Sequence, residues 1–445
     1  MRAQLTAVVA AALFGALPGF ASTTELCPAT PESMGLSSSR LAHLDAAMQD
    51  YVDSRKAAGV VTYVARGGRV VHLRGYGMAD PEATRTMTPD TLFRMASMTK
   101  PMTSVAALML IEDGQLALEE PISKYLPGFA RMEVAVRDES DGSVHRVPAL
   151  RPITIRDLMT QTSGIPYGLG PEFGASNPIW MEAGIAGGYY LERDQLMSDL
   201  VERMASLPLD AQPGERFVYG HNTDILGVII EKISGQPLDV FFQERIFDPL
   251  RMRDSFFYVP PARAEHLAAV YAASADGIRR ADGPEPINGQ GHFVEGPRKL
   301  LSGGAGLVST AVDYGRFAQM LINGGELDGV RLLSPRGVAL MTGNHVGDRF
   351  ANDFAPRPGM GFGLGVAVTL DPAAAGMYGT PGSYGWSGAY YTSFWVDPEE
   401  DVVMMVLTQL RPVFDTTLQA RFRTLVYQSI IAPVPAAIPA CATMH

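Results

Sequence analysis

The sequence predicts an α/β (α+β) fold: one antiparallel sheet built from N- and C-terminal segments, flanked by helices, with an inserted, mostly helical region. Two observations predict it. Hairpin patterns rich in β-formers stand near both ends of the chain, and helix start and stop signals fill the middle. At 445 residues the chain is long enough to bury a sizeable core.

In chain order, a short basic start (Met1, Arg2) leads into an apolar stretch from Leu5 to Leu17. Small residues at Gly19 and Ala21 suit cleavage after Ala21, so residues 1–21 read as an export leader. That stretch is too short to span a membrane, and no later segment reaches about 20 uninterrupted apolar residues. The pattern predicts an exported protein, periplasmic or extracellular. A single large domain runs over 22–431, with sheet regions near 35–115 and 300–431, a helical region near 116–299, and an irregular tail over 432–445.

"SRLAHLDAAMQDYVDSR" carries helical spacing through Leu41, Leu44, Met48 and Val52. "GVVTYVARGGRVVHLRGYG" is a hairpin turning at Gly67-Gly68. Far downstream, "GAYYTSFWVDPEEDVVMMVLTQ" is a second strand pair turning at Asp397-Pro398, followed by the helical "DTTLQARFRTLVYQSII". Between them, Thr154 and Asp157 open a helix that Gly164 closes, and Thr310 and Asp313 open one that Gly324 closes. "SADGIRRADGPEPINGQGH" reads as a polar Gly/Pro-rich loop and a candidate pocket wall. Cys27 and Cys441 stand near the two ends of the mature chain. In an oxidising compartment they are able to pair, the alternative being two unpaired thiols.

The formal charge is −11, and loss of Arg2 with the leader makes it −12. A chain of this sign offers no phosphate-binding surface, which excludes nucleic-acid partners. The eight histidines show neither HExxH nor tight ligand spacing, so no metal and no cofactor is expected. There is also no GxSxG elbow.

The chemistry concentrates in "FRMASMTKPMTS", where Ser97 precedes Lys100 by three residues and the buried helical run "SVAALMLI" follows. If the helix starts near Ser97, hydroxyl and amine share a face. A helix N-terminus favours an alkoxide by up to about 2 kcal/mol, so a base is still needed. By itself the spacing fits an ordinary cap followed by a surface lysine better than it fits a catalytic pair.

"FRMASMTKPMTS" resembles the nucleophile segment of the serine β-lactamase and penicillin-binding superfamily, most closely its class C branch and the family VIII carboxylesterases. The resemblance is colinear, through "ITIRDLMTQTSGIPYG", "PGERFVYGHNTDILGVIIEKISGQPL", "IFDPLRMRDSFF", "LLSGGAGLVSTAVDYGRFAQML" and "GMGFGLGV". It implies a β-lactamase/transpeptidase-like fold. It also implies that Ser97 is the acyl-forming nucleophile, Lys100 its proton partner and Tyr219, in Tyr219-Gly220-His221, a relaying base. Trp386-Ser387-Gly388 is then the third motif, a substrate-binding strand. The N–H groups of Ser97 and Ala389 are expected to form an oxyanion hole worth about 3 kcal/mol per donor. Phenol and amine both titrate near 10 when free, and held together their titration belongs to the pair.

Two departures from the family pattern matter. His221 stands where β-lactamases usually have Asn; it either tunes Tyr219, touches the leaving group, or is a buried histidine with a satisfied ring. Trp386 stands where they usually have a Lys that clamps the substrate carboxylate. Losing that partner costs about 1.5–3 kcal/mol, which favours uncharged esters over β-lactams or peptide C-termini. Family VIII esterases resemble this chain in the Trp motif, and fungal acyltransferases of this fold resemble it in Tyr-Gly-His. Tyr167 is a further candidate pocket residue. The expected partner is therefore a small-molecule ester, with no nucleic acid and no integral membrane, and no oligomeric state assigned. Acyl transfer, β-lactam or peptide hydrolysis, and a non-catalytic ligand receptor are the rivals.

Overall fold

The computed structural model describes residues 27–187, 193–283, 288–354 and 356–436. The expected leader and Cys441 lie outside the described residues. No described helix is long and apolar enough to cross a membrane.

The expected sheet is present. Its N-terminal strands are β1 (Gly59–Arg66), β2 (Arg69–Asp80) and β3 (Arg85–Thr86). Its C-terminal strands are β4 (Met360–Phe362), β5 (Ala367–Thr369), β6 (Tyr384–Ser387), β7 (Ser393–Asp397) and β8 (Val402–Leu407). The order is β4-β5-β6-β7-β8-β1-β2-β3, so the two ends of the chain meet where β8 pairs antiparallel with β1, from Val61 opposite Leu407 to Arg66 opposite Val402. Gly67 and Gly68 turn β1 into β2 with φ of 57° and 68°, the left-handed pair that a two-residue hairpin of this twist needs.

β1 is buried along its whole length because both sheet faces are covered. Val61, Tyr63 and Ala65 point into the larger core, which holds α2 (Thr99–Glu112), α4 (Asn222–Ser234) and α5 (Ala311–Ile322). Val60 and Val64 point the other way, against α1 (Ser38–Asp53) and α6 (Leu418–Tyr427). Leu41, Leu44 and Met48 are the buried stripe of α1, as their spacing predicts. In α2 every residue from Thr99 to Leu110 is buried, as befits a central helix enclosed on all sides.

The segments near the two ends of the described chain run side by side. Ile431 and Ala432 N–H donate to the Gly35 carbonyl at 3.0 and 3.2 Å. Arg66, 1% exposed, reaches the carbonyls of Met34 at 3.0 Å and Ala432 at 2.7 Å and the Glu400 carboxylate at 2.8 Å.

Three segments differ from expectation. α3 (Ile155–Met159) has its Thr154/Asp157 capping box but stops before Gly164. Gln161 turns left-handed (φ 59°), and its carboxamide oxygen accepts from Asn222 Nδ2 at 2.8 Å, while the Ser163 hydroxyl also bonds Asn222. Those side chains are committed to α4, and the backbone leaves the helix. The central region also holds two hairpins, Glu133–Arg137 with Val144–Pro148 and Tyr271–Ser274 with Gly277–Arg280. The second occupies the start of the expected 274–292 loop. Farther along that loop, the Gln290 carbonyl accepts from Arg94 Nη2 at 2.6 Å, so this part of the segment braces the stretch just before Ser97.

Candidate active site

The serine sits in a turn, not at a helix cap. Ala96–Met98 is a single 3-10 turn leading into α2, and Ala96 is held at φ 47° although it is not glycine. That left-handed backbone costs an L-residue about 1–2 kcal/mol, so its surroundings must impose it. Thr99 Oγ1 donates to the Ala96 carbonyl at 2.6 Å and accepts from Leu307 N–H at 3.0 Å, and Tyr314 OH donates to the Met98 carbonyl at 2.8 Å. The turn leaves Ser97 half-buried at the floor of a cleft of about 560 Å³.

Lys100, one helical turn on, is completely buried. Its ammonium donates to Ser97 Oγ at 3.2 Å, Tyr167 OH at 2.9 Å and the Gly304 carbonyl at 2.8 Å. Three N–H donors meet three acceptors. The same nitrogen lies 4.7 Å from the centroid of the Tyr219 ring, a cation–π distance.

Of the two tyrosines, Tyr167 has the contact that was not expected. Tyr167, expected only as a pocket residue, bonds the lysine directly. Tyr219 lines the cleft with Ser97, and its hydroxyl accepts from the Trp386 indole N–H at 3.3 Å. The rings meet edge to face at 5.4 Å. Gly220 makes this possible, because a Cβ there would lie 2.0 Å from the Ile165 carbonyl oxygen, and only glycine lets the Tyr167 loop close onto the Tyr219 turn.

His221 does not face the cleft, which corrects its expected place among the substrate-contacting residues. It is completely buried, stacked on Trp180 at 6.0 Å, with Nδ1 3.0 Å from Asp224 Oδ2. Asp224, which the sequence reading did not single out, also accepts from Ser302 Oγ at 2.6 Å and Gly304 N–H at 3.0 Å. Burial by itself pushes the Asp224 carboxyl up. Hydrogen bonding and charge from His221, the Ser302 hydroxyl and the charge of Lys100 outweigh it and hold the group below its ordinary value.

The far wall comes from the C-terminal strands. Trp386, Ser387, Gly388 and Ala389 all line the cleft at the end of β6. Gly388 packs against the nucleophile strand so closely that a Cβ would lie 2.2 Å from the Met95 carbonyl oxygen. The tight turn that follows, closed by Tyr391 N–H to the Gly388 carbonyl at 2.9 Å, carries Ala389. Trp386 is 7% exposed and stacks with Phe354 at 6.2 Å and 26°, while Phe362 meets it edge-on at 5.2 Å. Phe350 and Phe354 complete an apolar wall.

Known proteins are similar to this chain over most of its length. Esterase EstB of Burkholderia gladioli is 34% identical over 394 residues, 85% of this chain and 93% of that protein. Lovastatin esterase of Penicillium rubens is 30% identical over 381 residues, 81% of this chain and 90% of that protein. Among solved structures, "EstCE1, a hydrolase with promiscuous acyltransferase activity" superposes with a TM-score of 0.75 at 28% identity, covering 87% of this chain and 98% of that one. The family model described as beta-lactamase matches residues 44–428, and the chain belongs to that family of serine hydrolases.

Proposed function

We propose that the protein is an exported carboxylesterase that works through an acyl-Ser97 intermediate. The observation that carries the reading is the contact of Ser97 Oγ with the buried Lys100 ammonium on the floor of an aromatic-walled cleft. The esterase names of relatives at 34% and 30% identity support the ester as substrate. The apolar Trp386 face, in place of a cationic clamp, suits an uncharged acyl or alcohol group.

In this reading Lys100 stays charged and spends its three donors on Ser97, Tyr167 and Gly304. Tyr219, acting in this reading as a phenolate beside the Lys100 ammonium, takes the serine proton and becomes a neutral phenol as the carbonyl is attacked. It then returns that proton to the leaving alcohol. The N–H groups of Ser97 and Ala389 receive the oxyanion. Water repeats the sequence in reverse and frees the acid. The apolar wall also favours an alcohol over water as second acceptor, so acyl transfer is the second reading. Export rests on the 1–21 pattern, and N-terminal sequencing of the secreted protein tests it.

Ser97→Ala should abolish turnover of p-nitrophenyl butyrate, with the loss of a mass adduct of one butyryl group on the chain. Retained turnover in that variant removes Ser97 from the chemistry. Adding a primary alcohol and measuring the ester-to-acid product ratio separates transfer from hydrolysis.

A further inference from the structure

Lys100 has no exposure, and the charged form that the acyl-serine reading gives it needs an opposite charge nearby. The ionisable groups facing it are few. From the loop after α3 comes Tyr167, from the turn before α4 comes Tyr219, and from α4 itself come His221 and Asp224. The Ser302–Gly304 loop brings backbone and a hydroxyl, and β6 brings Trp386. Asp224 is thus the carboxylate of this group, and it touches neither Ser97 nor the cleft.

Its link to the lysine runs through one residue. Gly304 gives its N–H to Asp224 Oδ1 at 3.0 Å and its carbonyl to Lys100 Nζ at 2.8 Å. A side chain at 304 would lie 3.0 Å from the same Oδ1. Asp224 is also the third residue of the 13-residue α4, where the helix dipole favours a negative charge. The Ser302 hydroxyl and the His221 ring supply the donors that keep it ionised. The buried Asp224 carboxylate, which also pairs with His221 Nδ1 at 3.0 Å, therefore stands behind the buried Lys100 amine with a fixed backbone strut between.

We propose that Asp224 is a positioning residue that balances the Lys100 ammonium through Gly304 and thereby sets the pH window in which the Ser97 site is active. The inference rests on the acyl-serine reading above. The catalytic group loses one proton to become active and a second to become inactive again. A nearby negative charge opposes both losses. Removing it eases both, so the two limbs of the rate profile move in the same direction, towards lower pH.

The test is kcat/KM for p-nitrophenyl butyrate against pH in wild type, Asp224→Asn and Asp224→Glu, each checked for folding by circular dichroism. In the Asn variant both limbs should move down by about one pH unit, with a lower plateau. The Glu variant, which keeps the charge, should hold the wild-type limbs at reduced height. An Asn profile that is lowered but not displaced would mean packing alone and overturn the proposal. If the Asn variant does not fold, the Glu variant decides: limbs displaced as far as a pH unit in spite of its carboxylate overturn it. A wild-type protein inert towards the ester would instead sink the acyl-serine reading.

Discussion

Lys100 Nζ lies within hydrogen-bond distance of Ser97 Oγ, Tyr167 OH and the Gly304 carbonyl, while Tyr219 lines the cleft beside Ser97. The division of labour between the phenols follows. Tyr219→Phe should cost two to four orders of magnitude in kcat, as loss of a proton relay does. Tyr167→Phe removes a hydrogen bond to a charged group, worth about 1.5–3 kcal/mol, and should cost about 10- to 100-fold. A larger loss at Tyr167 than at Tyr219, in steady-state kinetics on one ester, would move the relay to Tyr167. The Ser97–Lys100 pair was legible because three-residue spacing in one helical turn is a local fact. Asp224 was not, since an acid in the first turn of a helix reads as a complement to the dipole. Its tie to residues 302–304 crosses about eighty positions of sequence.

Among the elements, those whose signals are local were readable. The β1–β2 turn needs two left-handed residues and has Gly67-Gly68, and α5 begins at the Thr310 cap and ends before Gly324. The end of α3 was not readable, because it is set by side chains that reach to Asn222 on another helix. The α5 cap also yields a pH dependence. Asp313 accepts from Asp254 N–H and Ser255 Oγ, yet burial pushes its carboxyl up to about 6. Its protonated form is thus favoured in the folded state. The stabilisation is full below the unfolded value near 4 and is lost as pH rises through 6, a change of about 3 kcal/mol. Relative to Asp313→Asn, which does not titrate, the wild-type protein should lose about that much stability between pH 4 and pH 7. Urea midpoints measured at both pH values check this, and an unchanging gap between the two proteins would remove Asp313 as the cause.

For the molecule as a whole, the sheet closes only when the end of the chain returns to its beginning, and Arg66 clasps that seam. Arg66→Met should destabilise the protein by about 3 kcal/mol, since the Glu400 carboxylate and four carbonyls lose a shared donor. Denaturant midpoints read the loss, and KM for an ester should stay unchanged, because Arg66 lies outside the cleft. The pairing of β8 with β1 has a consequence for biosynthesis. Ser97 emerges early from the ribosome, but the strand bearing Trp386 and the amide of Ala389 follow almost three hundred residues later. On the proposed mechanism, a nascent or truncated chain therefore carries Ser97 without its pocket, and ester turnover should begin only once the last strands are in place. The same adjacency of ends means that a circular permutant, joined by a short linker across the seam and opened in a surface loop, should keep both the pocket and its chemistry.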